Sequence, residues 1–509
     1  MSRSSERRHT VLQFACWPDP RGGGISSVTH DLTLSLNEQG WDVVLLYPAT
    51  VLSEDEHPDA IYATRIDSSQ PFQWRDATDR AGRFESLTHL LDADPIEIDL
   101  QSVSLIHTHF DLMIPGPNAR SGDYNSYRTL QHHIERATGF RPKLVRTRHD
   151  DLQGGLDRLM RLTGIDFLAL PPDERAHLLG AEADLPPIVE KHVRAARDRL
   201  IAQGVPPAVL DRAIDHVWYV VSQLNLWETE QEDADAVVSL YKGGSRLLRA
   251  FHPNGKNNLA HIYNGTSIVR HDPSSVDQLL DEYHRDGLLC FHGGAEHESA
   301  SRFLPSDQKV IFVGRDDPSK GISELVQAVG RLYHRRPNRR VRAIIVGHFS
   351  RERRIELCRF DRAHAEEYLL FTGWVDDAER LLSILAFGNV TAVPSHYDPF
   401  NLAACESFLA ATPCVITESI GAAEVYLEQP SRNGTQIGLP VRKPHTEGID
   451  RFYGVDINSL ASQIERLFDD EDLSYRLGRA GHEFVRQHYD YRVMGHRYTQ
   501  LYELLLGRY

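Results

Sequence analysis

Two carboxylates, Asp398 and Glu406, stand eight positions apart in PSHYDPFNLAACESFLAATPCVIT, Pro394 to Thr417. Two cations, Arg315 and Lys320, stand five apart in KVIFVGRDDPSKGISELVQAVGRLYHRR. Carboxylates accept hydrogen bonds from hydroxyls, and guanidinium and ammonium groups neutralise phosphate charge. A ligand with hydroxyls at one end and phosphates at the other would use both sets.

The elements around these residues would bring them to one edge of a sheet. FGNVTAVP reads as a short buried strand, and LAACESFLAA reads as a helix whose first turn begins near Asn401. The N-terminus of that helix offers unpaired N–H groups and partial positive charge, which suit a phosphate. Glu406 is expected about two turns inside the helix, on the face of Leu402. KVIFVG and VRAIIVG are apolar strands flanking a helix, as in a parallel sheet covered on both faces. Their loop is bracketed by Gly314 and Gly321. It fits neither GxxxxGK[ST] nor a GxGxxG that opens a helix. A sugar nucleotide fits the whole pattern; plain helix caps and a solvated basic loop are the alternatives.

The first half repeats the theme without the charge. A strand over residues 10–16 leads into PDPRGGGISSVTHDLTLSLNEQGWDVVLLYP, where Gly22, Gly23 and Gly24 precede a helix from about Ser26, closed by Gly40, and a second strand. Glycines there let the backbone approach a ligand closely. SLIHTHF ends in His107 and His109, and KLVRTRHDD carries His149 and Asp150. Residues just past the carboxyl ends of strands line the crevice of an open α/β sheet. A zinc site is the alternative for His-x-His, but no third ligand has suitable spacing.

Together these segments resemble the family 4 retaining glycosyltransferases of the GT-B fold. DPFNLAACE is similar to the E-x7-E motif of that family, with Asp398 for the usual first Glu and Asn401 for the usual Gly. GRDDPSKG resembles its G-R-x-x-x-x-K-G, PDPRGG its P-x-x-GG start, and IGAAEVYL its G-G-x-x-E, with Ala422 where Gly is usual. The resemblance implies an α/β protein with two Rossmann-like domains facing a central cleft. It implies sugar transfer from a nucleotide-diphosphate donor to an acceptor hydroxyl, with retention and no metal or cofactor. It also implies that Arg315 and Lys320 grip the diphosphate and that His109 and Asp398 act catalytically near the donor sugar. Gly23, Gly24, Asn401, Leu402 and Glu406 would complete the donor site, and His149 and Asp150 would lie near a small-molecule, sugar or glycan acceptor. A GT-B sugar-nucleotide epimerase and a non-catalytic sugar-nucleotide-binding subunit are the rival readings.

The expected domains are residues 1–269, a linker over 270–308, a second domain over 309–487 and a C-terminal helix over 488–509 that returns to the first. Residues 152–215 are helix-rich and exceed the family pattern. They read as an insertion that shapes the acceptor pocket or forms a contact between copies in a homo-oligomer. DADAVV contains a D-x-D string, which on a metal would suggest the other common glycosyltransferase fold; its place at a helix-to-strand junction reads instead as an exposed cap.

Composition sets the outer bounds. The 509 residues suffice for two or more domains, and 41% hydrophobic content is ordinary for a globular chain. A formal net charge of -16 argues against broad nucleic-acid binding. RRPNRR and RERR read as solvated helix and strand ends. Five cysteines without paired spacing read as reduced thiols, and no apolar run has the length of a signal core or membrane span. A cytoplasmic location is the expectation.

Overall fold

The computed structural model describes residues 9–15, 24–48, 61–65, 82–84, 98–109, 126–149, 156, 187–202, 234–251, 258–267, 307–375, 378–396, 398–421, 423–427, 438–441 and 455–508. Gly23, Asp150, the 270–306 stretch and most of the expected insertion lie outside them. Within the insertion the described part is a helix over Pro187–Ala202, with Leu156 buried.

The strands form two sheets. In the first, β1 (Thr10–Phe14), β2 (Asp42–Pro48), β5 (Val103–Thr108), β6 (Lys143–Arg148), β7 (Ala236–Ser239) and β8 (Leu259–His261) are mutually parallel, in the order β2-β1-β5-β6-β7-β8. Two strands that the sequence pattern did not suggest, β3 (Ile61–Thr64) and β4 (Gly82–Phe84), extend the β2 edge in antiparallel pairing. The second sheet is wholly parallel: β9 (Gln308–Val313), β10 (Val341–Val346), β11 (Leu369–Gly373), β12 (Val390–Val393), β13 (Cys414–Thr417) and β14 (Gly438–Val441), ordered β11-β10-β9-β12-β13-β14. Runs such as TVLQF and VRAIIV are buried along their whole length because helices cover both faces. In each sheet the strand order reverses beside the first strand, between β1 and β5 and between β9 and β12. Ligands of open α/β sheets bind at such switch points.

Helices join the two halves. The Glu471–His488 helix packs on Leu402–Leu409 in the second domain. After a break at Tyr489, the Asp490 carboxylate caps a last helix, Tyr491–Leu505. This helix lies against Gly24–Glu38 and contributes Tyr491, Met494, Tyr498 and Tyr502 to the first-domain core. The approach is close enough that a Cβ on Gly495 would sit 2.1 Å from Ser35 Oγ, so any larger residue would force the helices apart. Among the described residues, no helix is long and apolar enough to cross a membrane.

Candidate active site at the two switch points

In the second domain the loops after β9 and β12 meet. Pro318–Lys320 forms one turn of 3-10 helix, held by Asp317, whose side chain accepts from Ser319 N at 2.8 Å. Gly321 follows at φ 71, and a Cβ there would lie 2.0 Å from the Pro394 carbonyl oxygen. Glycine is therefore required twice, for the left-handed backbone and for the contact between the two loops. His396 completes the joint: its N–H donates to Ser319 O at 2.7 Å, and its Nε2 lies 2.8 Å from Glu324 Oε1.

The joint places Lys320 Nζ 2.5 Å from Asp398 Oδ2. Asp398 also accepts from Asn401 Nδ2 at 3.1 Å and from Phe400 N at 3.2 Å. Asn401 does two jobs, because its Oδ1 also caps the Leu402–Leu409 helix by accepting from Ala404 N. The Asp in place of Glu thus stays in the loop, where it aims the Lys320 ammonium, and Arg315, five residues before Lys320, stands exposed. An ammonium carries three N–H donors, so Lys320 can hold Asp398 and still donate to an anion.

Glu406 lies one turn into its helix, because the helix begins at Leu402; the expected two turns were one too many. It shares a face with Leu402, which packs on the first-domain core and lies 3.6 Å from the Cβ position of Gly24. This face meets the Gly24–Glu38 helix, which begins two residues earlier than the sequence suggested. Burial, and secondarily the carboxylate of Asp31 on that helix, push the Glu406 carboxyl up to about 7. Asp31 is itself buried and accepts from Ser267 N at 2.8 Å.

The first-domain edge is different in kind. His107 at the end of β5 and His109 just beyond it are both fully buried, with ring centroids 4.1 Å apart. His109 Nδ1 lies 3.1 Å from His149 Nε2 at the end of β6, while His109 Nε2 is buried with no hydrogen-bond partner among the described residues. Burial lowers the pKa of His109 well below the usual range, and His107 and His149 lower it further. Burial and His149 bring His107 to about 3. His107 and His109 are therefore neutral imidazoles at neutral pH. His109 and His149 are brought together; Asp150 and Gly23 fall outside the described residues.

Other residues emerge only from the fold. Glu424, in the IGAAEVYL segment, reaches across to the first domain. Its Oε1 accepts from Lys242 N at 2.5 Å and from Tyr263 OH at 3.0 Å, and its Oε2 accepts from Gly243 N at 3.1 Å. It thereby caps the Lys242–Phe251 helix from the opposite domain. Tyr263 packs its ring on Phe400 and Tyr489, and burial keeps its phenol protonated. The partner motif was visible as a G-x-x-E echo; its target was not. Asp235 of the D-x-D string pairs with Lys143 at 3.1 Å and accepts from Leu144 N at 2.9 Å, at the start of β6 and far along the strand from its crevice end.

Comparison with known proteins bears on the family likeness and the fold. Residues 307–470 match the family model described as glycosyl transferases group 1. A glycogen synthase of Mycobacterium tuberculosis is 26% identical over 207 residues, 40% of this chain and 44% of that protein. The chain thus spans under half the length of that curated relative. Among solved structures, sucrose-phosphate synthase from Thermosynechococcus elongatus superposes with a TM-score of 0.58 at 19% identity, covering 99% of this chain and all of the other. Anabaena HepE in complex with UDP and glucose gives 0.52 at 16%, covering 97% and 99%. The fold is GT-B, the two-domain architecture of these glycosyltransferases.

Proposed function

We propose that this chain is a retaining, family 4 glycosyltransferase that moves a sugar from a nucleotide diphosphate to an acceptor hydroxyl. The observation that carries the reading is the meeting of Lys320, Asp398 and Asn401 at the capped N-terminus of the Leu402–Leu409 helix, one turn from Glu406. The match of residues 307–470 supports it, since that stretch holds all four. The complex of HepE with UDP and glucose supports a nucleotide-linked donor.

In this reading the donor lies on the second domain. Its diphosphate sits over the helix N-terminus between Arg315 and Lys320, and Glu406 accepts from a ribose hydroxyl. As the C1–O bond breaks, its electron pair passes to the β-phosphate oxygen, and the fixed cations stabilise the charge that develops there. The acceptor oxygen bonds to C1 from the same face, and its proton passes to the departing phosphate. Two cations and a helix terminus supply positive charge in a role that metal ions fill elsewhere. Neutral His109 meets the uncharged donor sugar, and His149 and Asp150 lie toward the acceptor. The free thiols of Cys358, Cys405 and Cys414 accord with a reducing, cytoplasmic setting.

The test is a panel of nucleotide sugars and acceptors, with EDTA present, read by nucleotide release and by NMR of the product anomer. Release that depends on acceptor and gives the donor's anomeric configuration is expected. Donor conversion without acceptor would point to an epimerase, and tight donor binding without any turnover to a binding subunit. An inverted anomer would overturn the retaining assignment.

A further inference from the structure

The last helix reaches the buried histidines directly. Tyr502 OH lies 2.6 Å from His107 Nδ1, and His107 Nε2 lies 2.8 Å from Thr147 Oγ1, which is in turn 2.7 Å from Tyr498 OH. All four residues are buried, and 395 positions separate His107 from Tyr502. Among the described residues the Tyr502 hydroxyl meets no other hydrogen-bond partner. Were His107 to donate from Nδ1, the phenolic proton would be buried with nowhere to go, at a cost that native interiors avoid. The phenol must therefore donate to Nδ1. His107 is then the Nε2–H tautomer and donates to Thr147 Oγ1. Both nitrogens are used, so the ring is fixed in place and forms a rigid wall against the His109 ring, the two centroids 4.1 Å apart at a tilt of 42°.

We infer that Tyr502 of the C-terminal helix is a positioning residue for sugar transfer, acting by holding His107 in one tautomer and orientation and so fixing the His109 ring that packs against it. The inference rests on the proposed role of His109 at the donor sugar. Docking the last helix on the first domain then completes the active site as well as closing the fold. A ring displaced by a fraction of an ångström under a reacting group costs rate without costing ground-state affinity.

Tyr502→Phe keeps the ring that packs edge-on against Trp41 and removes only the hydroxyl. We expect kcat to fall about tenfold, with donor KM and the Kd of free nucleoside diphosphate unchanged. Thr499→Val is the control for helix docking. It loses the 3.1 Å bond from Trp41 Nε1 but makes no hydrogen bond to His107 or His109, so its Tm should drop while kcat holds. Two-bond 1H–15N spectra of the wild-type histidine rings give a readout free of activity: His107 should show the Nε2–H tautomer, and Tyr502→Phe should lose that fixed signature. An Nδ1–H tautomer in the wild type, or equal kcat losses in Tyr502→Phe and Thr499→Val, overturns the inference. If the wild type transfers and His109→Ala does not, yet Tyr502→Phe is normal, the inference fails while the functional reading stands. If His109→Ala is also normal, the reading of His109 itself has failed.

Discussion

At the switch point of the second sheet a buried carboxylate and carboxamide, Asp398 and Asn401, hold an ammonium that solvent still reaches, with the Lys320 side chain 22% exposed. At that of the first sheet, two adjoining imidazoles are fully buried and held neutral by their surroundings. Both places are reversals of strand order in a parallel array; the side chains there differ in charge and in burial. Charge near water can be kept on a side chain and lent to an anion, whereas a charge among buried rings would cost several kcal/mol in lost solvation. The charged edge suits the end of a substrate that carries phosphate, and the neutral edge suits the end that carries hydroxyls. On the proposed reading, a sugar nucleotide would present its phosphates to the charged edge and its sugar hydroxyls to the neutral one.

The largest test of this contrast removes charge from the charged edge. Lys320→Ala and Arg315→Ala are each expected to lower turnover by roughly 10²–10³, the usual cost of losing one donor to a developing anion. Lys320→Ala should be the worse of the two, because it also leaves Asp398 without its cation. Steady-state kinetics decide it, and near-normal turnover in both would remove the diphosphate assignment.

The neutral edge is tested by His109→Ala, expected to lower kcat by more than about tenfold, a factor worth 1.4 kcal/mol. Affinity for free nucleoside diphosphate, measured by calorimetry, should be kept. A mutant that binds nucleotide poorly would mean the two edges are not separate in role.

Glu406 lies between the two, on a second-domain helix but facing a first-domain carboxylate. Glu406→Gln should raise donor KM several-fold with kcat largely kept, since a ribose contact is made in ground and transition states alike. Collapse of kcat at constant KM would place Glu406 at the reacting carbon instead.

The smallest effect expected is on stability. The Glu406 carboxyl is raised from 4.5 to about 7, so between those values the folded protein holds a proton that the unfolded chain has lost. Its contribution is full below pH 4.5 and declines as pH rises toward 7. Relative to wild type, the Tm of Glu406→Gln should therefore climb between pH 5 and pH 8. A flat difference would show that Glu406 is well solvated and that the domains stand further apart there.

Much of the charged edge was legible before any coordinates. Gly314 and Gly321 bracket a loop after a run of apolar residues, and Asn401 announces a cap, each signal lying within a few residues of the element it marks. The helix start near Asn401 and the face of Glu406 were legible; at about 3.6 residues per turn that start puts Glu406 little more than one turn in, not two. The β3 and β4 strands escaped notice because they pair at an edge, outside the continuous apolar runs that mark the parallel core. Glu424 was seen as a motif but its role was invisible, since its partners at Lys242, Gly243 and Tyr263 lie over 160 residues away.

The sequence by itself determined the alternation of strand and helix, the loops at the strand ends and the residue types those loops carry. These depend on periodicity and on neighbours within a few turns, which a chain displays wherever it folds. Tertiary structure decided the state of those residues. Burial made His107 and His109 neutral, proximity to Asp31 helped raise Glu406, and Asp398 was turned inward onto Lys320. Solvation and Coulomb interaction depend on what is near in space, and the groups that matter here, Tyr502 beside His107 above all, are brought near only when the last helix crosses back to the first domain.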